Sequence, residues 1–200
     1  MHNKLKTTLD HLLKMVEFDV VKGPYIVGSI LTYQTELQFG DSEWSPNDID
    51  IVVRNEDQIK GIDAALKNIA LSSITINKGA PLTTWDLGSN LSVAAIIHDV
   101  DATERVKWAD WTIAAFATDG KVVTTIAGAI SDVKNRVLRE NPFSKDEKLL
   151  GLQTADIDNG SVSWMVPRYY RYRKYQKRGY NDVDNKIYEK NFKYYNGPFY

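Results

Sequence analysis

The sequence predicts an α/β fold, a mixed sheet flanked by helices and followed by a basic, tyrosine-rich C-terminal extension. Three observations carry this expectation. Apolar runs of strand length, at 24–28, 48–53 and 91–98, alternate with longer segments whose apolar residues recur at helical spacing. In Asp48-Ile49-Asp50-Ile51-Val52-Val53 the side chains alternate between faces, so Asp48 and Asp50 share one face while Ile49 and Ile51 enter a core. After Pro142 aliphatic content falls and tyrosine and arginine take over.

Taken in order, residues 4–17 form an amphipathic helix packing through Leu9, Leu12, Leu13 and Val16, and Gly23-Pro24 ends it. A strand at 24–28 runs into Gly28-Ser29 and a short helix at 29–38. A loop through Gly40 and Ser45-Pro46-Asn47 then leads to the strand 48–53. Asn55 or Glu56 opens a helix to about residue 71, with Ile59, Ile62, Leu66 and Ile69 on one face. Further strands are expected at 73–77, 91–98 and 113–117, and a helix at 125–140 with Ile126, Ala129, Ile130, Val133, Val137 and Leu138 inward, stopped by Asn141-Pro142. Beyond it, 144–152 reads as a short helix and 154–161 as a polar loop. The domain expectation is one folded unit over 1–142 and an extension over 143–200.

Composition narrows the chemistry. With 43% hydrophobic and 26% charged residues the chain reads as an ordinary globular protein. It has no apolar run long enough to span a bilayer and no signal-peptide pattern, so a cytoplasmic location without membrane contact is expected. The absence of cysteine excludes disulfides, thiolate zinc sites and cysteine nucleophiles, and three scattered histidines do not make a metal cluster. Carboxylate chemistry remains. Asp48 and Asp50 repel each other on one face unless a cation neutralises them, and Mg²⁺ or Mn²⁺ suits oxygen ligands. The competing reading is a half-exposed strand that carries acids only for solubility. Gly28 permits a tight turn, after which the Ser29 hydroxyl and the first N–H groups of a helix are placed to hold a phosphate.

The pairing of Gly28-Ser29 with a later Asp48-Ile49-Asp50 on an apolar strand resembles the signature of the nucleotidyltransferase (DNA polymerase β-like) superfamily. Asp110-Trp111-Thr112-Ile113-Ala114-Ala115, then Asp119-Gly120, then Ile130-Ser131-Asp132-Val133-Lys134-Asn135-Arg136-Val137-Leu138-Arg139, is similar to the head domain of tRNA CCA-adding enzymes and bacterial poly(A) polymerases. There an Arg-Arg-Asp-Phe-Thr-Ile-Asn-Ala segment precedes a helix reading Asp-Leu-x-x-x-x-Leu-Arg. Order and rough spacing match over residues 20–140. The chain departs from the pattern at Trp108-Ala109 in place of the paired arginines, at Ala114 in place of the asparagine, and at Thr32-Tyr33 after the Gly-Ser turn. A further carboxylate usual on the next strand falls near Ser92, leaving Asp86, Asp99 or Asp110 as candidates for it.

The resemblance implies transfer of a nucleotide from an NTP such as ATP to an acceptor hydroxyl, with an RNA 3′ end, a small molecule or a protein as acceptor. It assigns metal binding and catalysis to Asp48 and Asp50 and nucleotide contacts to Gly28, Ser29, Asp110, Arg136 and Arg139. Lys107, with Arg105, stands near the missing arginines. Asp110 is equally readable as a cap, and Arg136 and Arg139 as a basic end complementing a helix dipole. The stretch around Arg168, Arg171, Arg173 and Lys174 contains no acid, and its tyrosines offer base stacking on RNA or, alternatively, docking onto protein. The rival function is a catalytically degenerate protein of this fold that binds RNA or a protein assembly.

Overall fold

The computed structural model describes residues 3–40, 42–69, 75–79, 82–145 and 165–191. The chain gathers into two compact units, Met1–Val106 with Phe116–Thr125, and Lys107–Ala115 with Ile126–Tyr200. The boundary expected at residue 142 falls inside the second unit. The expected polar loop at 154–161 and most of the expected helix at 144–152 lie outside the described residues.

The first unit is built on a mixed sheet. In chain order it contains α1 (Asn3–Met15), β1 (Tyr25–Val27), α2 (Ser29–Glu36), β2 (Asp48–Val53), α3 (Glu56–Asn68), β3 (Thr75–Gly79), β4 (Leu82–Asp86), β5 (Ser92–Ile97), α4 (Ala102–Lys107), β6 (Phe116–Thr118) and β7 (Val123–Thr125). Among the described residues the strand order is β3-β4-β5-β2-β1-β6-β7. Among the described strands of this sheet β2 and β5 run parallel, from Asp48 opposite Ser92 to Val53 opposite Ile97. The other neighbours are antiparallel.

The sheet's apolar face explains its register. Ile49, Ile51 and Val53 of β2, Val93 and Ala95 of β5 and Trp85 of β4 are fully or almost fully buried, each large side chain contributing roughly 1.5–3 kcal/mol. Helix α3 lies over this face, and the Trp85 indole N–H donates to Asp63 Oδ1 at 3.0 Å. Asn55 caps α3, its side chain accepting the Gln58 N–H at 3.1 Å, with Glu56 and Asp57 in the first turn. Helix α1 packs on α3, burying Leu5, Leu9 and Leu12 on one stripe. The opposite face over β5 is half-buried at Ser92, Ala94 and Ile96.

The second unit departs from the sequence expectation at two places. The strand expected at 113–117 starts later: Thr112–Ala114 is a 3₁₀ turn and only Phe116 onward is extended. The helix expected at 125–140 is confined to α5 (Ala129–Lys134). Gly128 precedes it at φ 85, and Arg136, at φ 54, turns the chain into the left-handed region immediately after it. The backbone then pairs elsewhere, Leu138 N donating to Asn181 O at 2.8 Å and Asn181 N to Arg136 O at 2.7 Å. Ile130, expected inward, is 48% exposed. The tyrosine-rich segment forms α6 (Met165–Lys177), followed by a 3₁₀ turn at Val183–Asn185 and α7 (Lys186–Asn191). Among the described residues no helix is long and apolar enough to cross a membrane.

Candidate functional site

The site is assembled from three consecutive pieces of the first unit. Strand β1 ends at Val27, directly opposite Asp50 on β2. The chain turns at Gly28 and enters α2 at Ser29, whose hydroxyl donates to Asp48 Oδ1 at 3.3 Å. Gly28 holds φ 87 and ψ −167. A Cβ built on it would stand 2.3 Å from Asp50 Oδ2. Glycine is therefore required twice, by the backbone conformation and by the carboxylate that occupies the space a side chain would take.

Asp48 and Asp50 are half-buried on the half-open face, as the alternation anticipates. Directly opposite residues on neighbouring strands share a face, so Asp48 is followed across the sheet by Ser92 and then Asp86, while Asp50 is followed by Ala94 and then Thr84. Asp86 stands two strand spacings from Asp48, about 10 Å. It is exposed, and its Oδ1 accepts the Gly88 N–H at 2.8 Å. Asp99 lies beyond the far end of β5 and pairs with Arg54 at 3.2 Å. Asp110 is buried in the second unit, where Arg171 donates to its carboxylate. Among the described residues no three His, Cys, Asp or Glu side chains are grouped to hold a metal ion. Two carboxylates beside a glycine-cleared space match the way Mg²⁺ is commonly held, by one or two carboxylates with water and substrate phosphate completing the octahedron.

Glu36 and Trp44 also belong to this region and were not singled out from the sequence. Glu36, at the end of α2, is only 3% exposed. Its carboxylate accepts the Trp44 indole N–H at 3.0 Å and the Ser42 hydroxyl at 2.6 Å. An acid in a helix whose other residues are mostly buried was the available signal.

The remaining expected contacts lie in the second unit and are engaged there. Arg139 donates to Asp132 at 3.2 and 3.3 Å, and Asp132 also accepts the Thr112 hydroxyl at 2.7 Å. Arg136 donates to the Arg178 carbonyl at 3.0 Å and stacks 5.5 Å from the Tyr180 ring centre. Both arginines lie beyond the end of α5, so neither is the last-turn charge of a helix. The Lys107 carbonyl accepts from the Asn141 side chain at 3.2 Å. On α6, Arg168 is buried against Glu140 at 2.8 Å with its guanidinium 5.0 Å over Trp111. Arg173, bonded to Gln176 at 3.0 Å, and Lys174 are exposed. Tyr169, Tyr172, Tyr175 and Tyr180 are buried, and Tyr172 donates to the buried Asp182 at 3.0 Å. Burial first, and then the Asp182 carboxylate, push the Tyr172 phenol well above its ordinary range. These rings offer no stacking faces, so the protein-docking alternative describes them.

The mixed sheet, with its Asp-x-Asp strand set beside a Gly-Ser helix start, is similar in fold to solved structures of CCA-adding enzymes. Three of these are a CCA-adding enzyme without ligand (TM-score 0.53, 20% identity, covering 70% of this chain and 34% of that one), a CCA-adding enzyme complexed with CTP (0.51, 19%, 70% and 34%) and one complexed with ATP (0.50, 20%, 69% and 34%). The likeness is one of fold, and this chain spans about a third of the length of those proteins. No protein-family model and no curated protein matches the chain.

Proposed function

We propose that this protein is a metal-dependent nucleotidyltransferase that moves a nucleotide from an NTP to an acceptor hydroxyl. The observation that carries the reading is the convergence of Asp48 and Asp50 on the Gly28-Ser29 entrance of α2. In this reading Asp48 and Asp50 hold Mg²⁺ or Mn²⁺, which when bound neutralises triphosphate charge and orients the phosphates for in-line displacement. Ser29 fixes the rotamer of Asp48, and Gly28 keeps the space beside Asp50 clear. The positive end of α2 stands at the same place and favours an anion. The acceptor hydroxyl gives up its proton to solvent as its oxygen bonds to the α-phosphorus, the bond from that phosphorus to the oxygen bridging the β-phosphate breaks, and pyrophosphate leaves. An RNA 3′ end is one acceptor class that fits, since the structures sharing the fold include CCA-adding enzymes.

A second reading, a degenerate member that binds without turnover, is favoured by one observation: Ser92, not an acid, is the register partner of Asp48. Thermal unfolding with Mg²⁺ or Mn²⁺ and each of the four NTPs separates the two. At a ligand concentration of about 100 Kd the native state gains about 2.7 kcal/mol, which raises Tm by roughly 5–10 °C for a chain of this size. Asp48→Asn and Asp50→Asn abolish that shift and leave the ligand-free Tm within a few degrees. No metal-dependent shift with any NTP refutes nucleotide binding at this pair. A shift without incorporation into RNA, protein or small-molecule hydroxyls selects the degenerate reading.

A further inference from the structure

We infer that Glu36 is a positioning residue for the carboxylate pair, acting through a latch that holds the loop leading into β2; this rests on the reading of Asp48 and Asp50 given above. Glu36 breaks two local rules. A carboxylate is buried, which costs several kcal/mol unless specific donors replace water, and it sits at the C-terminal end of α2, where the helix dipole opposes negative charge. The donors are specific. Trp44 Nε1 reaches both carboxylate oxygens, at 3.1 and 3.0 Å, and Ser42 Oγ reaches Oε2 at 2.6 Å. The Trp44 ring also packs edge-on against Tyr33 of the same helix, with centroids 5.3 Å apart, and Pro46 beyond it is buried.

These contacts close a ring through the site. The Ser29 hydroxyl holds Asp48 at the start of α2, and Glu36 holds Trp44 at its end. The helix between Ser29 and Glu36 is about 11 Å long at 1.5 Å per residue. The chain from Trp44 to Asp48 reaches at most about 14 Å fully extended. Asp48 is thus tethered at both ends of α2 with little slack. Without the latch, the tether is the whole connection over residues 37–47. With it, only Ser45, Pro46 and Asn47 intervene. Loop-closure scaling with the three-halves power of length makes the latched arrangement about sevenfold easier to close, and partners that orient metal-binding carboxylates commonly carry 10- to 100-fold in affinity.

The test uses the full chain with Glu36→Gln, Trp44→Phe and the double variant. Trp44→Phe keeps a ring against Tyr33 and removes only the donor, so it preserves the fold should Glu36→Gln not. Two measurements are made. Hydrogen exchange reads the backbone over 28–33 and 44–50 without any ligand. Calorimetry reads Mn²⁺ binding in the presence of a non-hydrolysable ATP analogue. The expected result is faster exchange in both segments with β5 and α3 unchanged, and Mn²⁺ affinity lower by about five- to tenfold. The double variant is no weaker than the worse single one, because both substitutions act on the same contact, Glu36→Gln by removing the acceptor's charge and Trp44→Phe by removing the donor. Unchanged exchange in both segments, or wild-type Mn²⁺ affinity in the two single variants, overturns the inference. If the wild-type chain binds no Mn²⁺, the functional reading fails by itself, and the exchange measurement still decides whether the latch orders the pair.

Discussion

Replacing Gly28 by alanine tests the geometry of the site most directly. At φ 87 and ψ −167 the backbone lies in a region essentially reserved for glycine, where another residue costs on the order of 1–3 kcal/mol. The new Cβ would also meet Asp50 Oδ2 at 2.3 Å and its Cβ and Cγ at 3.2 Å, so the carboxylate must rotate away from its place beside Gly28. Taking about 2 kcal/mol for the strain, Tm falls by roughly 4–8 °C, at 2–4 °C per kcal/mol for a chain of this length. Gly61 is the internal comparison. It lies inside α3 with nothing within 4 Å of its missing Cβ and no positive φ, so Gly61→Ala stabilises by about 0.5–1 kcal/mol. Calorimetric melts of the two variants, with and without Mn²⁺ and ATP, should move in opposite directions, and only Gly28→Ala should lose the ligand-induced shift. A Gly28→Ala protein melting within about one degree of wild type would show that the turn does not hold this conformation, since strain of order 1 kcal/mol already exceeds that shift.

Two further outcomes test other parts of the molecule. Arg168→Gln leaves Glu140, whose side chain is 14% exposed, facing a lost partner, so urea unfolding should report a loss of about 3 kcal/mol, whereas a loss below about 1 kcal/mol would class the pair with ordinary surface pairs. Burial, and then the charge of Arg105, hold the His98 imidazole below its usual 6.5. The unfolded chain therefore takes up the proton first, and His98 contributes stability above about pH 6.5 that is lost on acidification. Urea midpoints measured from pH 7.5 to 5 should accordingly fall more steeply for wild type than for His98→Gln, and equal slopes would refute the assignment.

The legible part of the fold is the part whose residues carry periodic apolar patterns. Strand β2 and the Asn55 start of α3 stand where alternation and capping chemistry placed them, because Ile49 and Ile51 have one buried face to satisfy and Asn55 has a specific N–H to accept. Strand β4 was not anticipated: Leu82-Thr83-Thr84-Trp85-Asp86 has one buried tryptophan and exposed ends, and its pairing with β5 supplies what its own pattern lacks. The helix expected at 125–140 failed for a tertiary reason, since Arg136 turns into a backbone pairing with Asn181, 45 positions away in sequence. Asp48, Asp50, Gly28 and Ser29 were readable because one strand period and one turn place them. Glu36 and Trp44 were not, because an indole meeting a carboxylate across a loop leaves no period in the sequence. The charge pattern of α6 was visible, and docking of its tyrosines onto protein was one of the two readings open for them, but not that Arg168 and Arg171 meet Glu140 and Asp110.

The strand register that decides which residues meet at the site is enforced by the core. In the antiparallel pair, Tyr25 faces Val52, Ile26 faces Ile51 and Val27 faces Asp50. Each step forward along β1 is a step back along β2, so continuing the register brings Gly28 to Ile49 and Ser29 to Asp48, the pair joined by the 3.3 Å hydrogen bond. A slip of one residue would send every β2 side chain to the opposite face. Ile49 and Ile51 would then enter the half-open face, and the carboxylates would enter the apolar layer under α3, a cost far above the few kcal/mol separating folded from unfolded chains. The isoleucines that look inert in Asp48-Ile49-Asp50-Ile51 are therefore what hold the carboxylates opposite the Gly-Ser turn. For this reason a strand so apolar can carry two acids and still be specified uniquely.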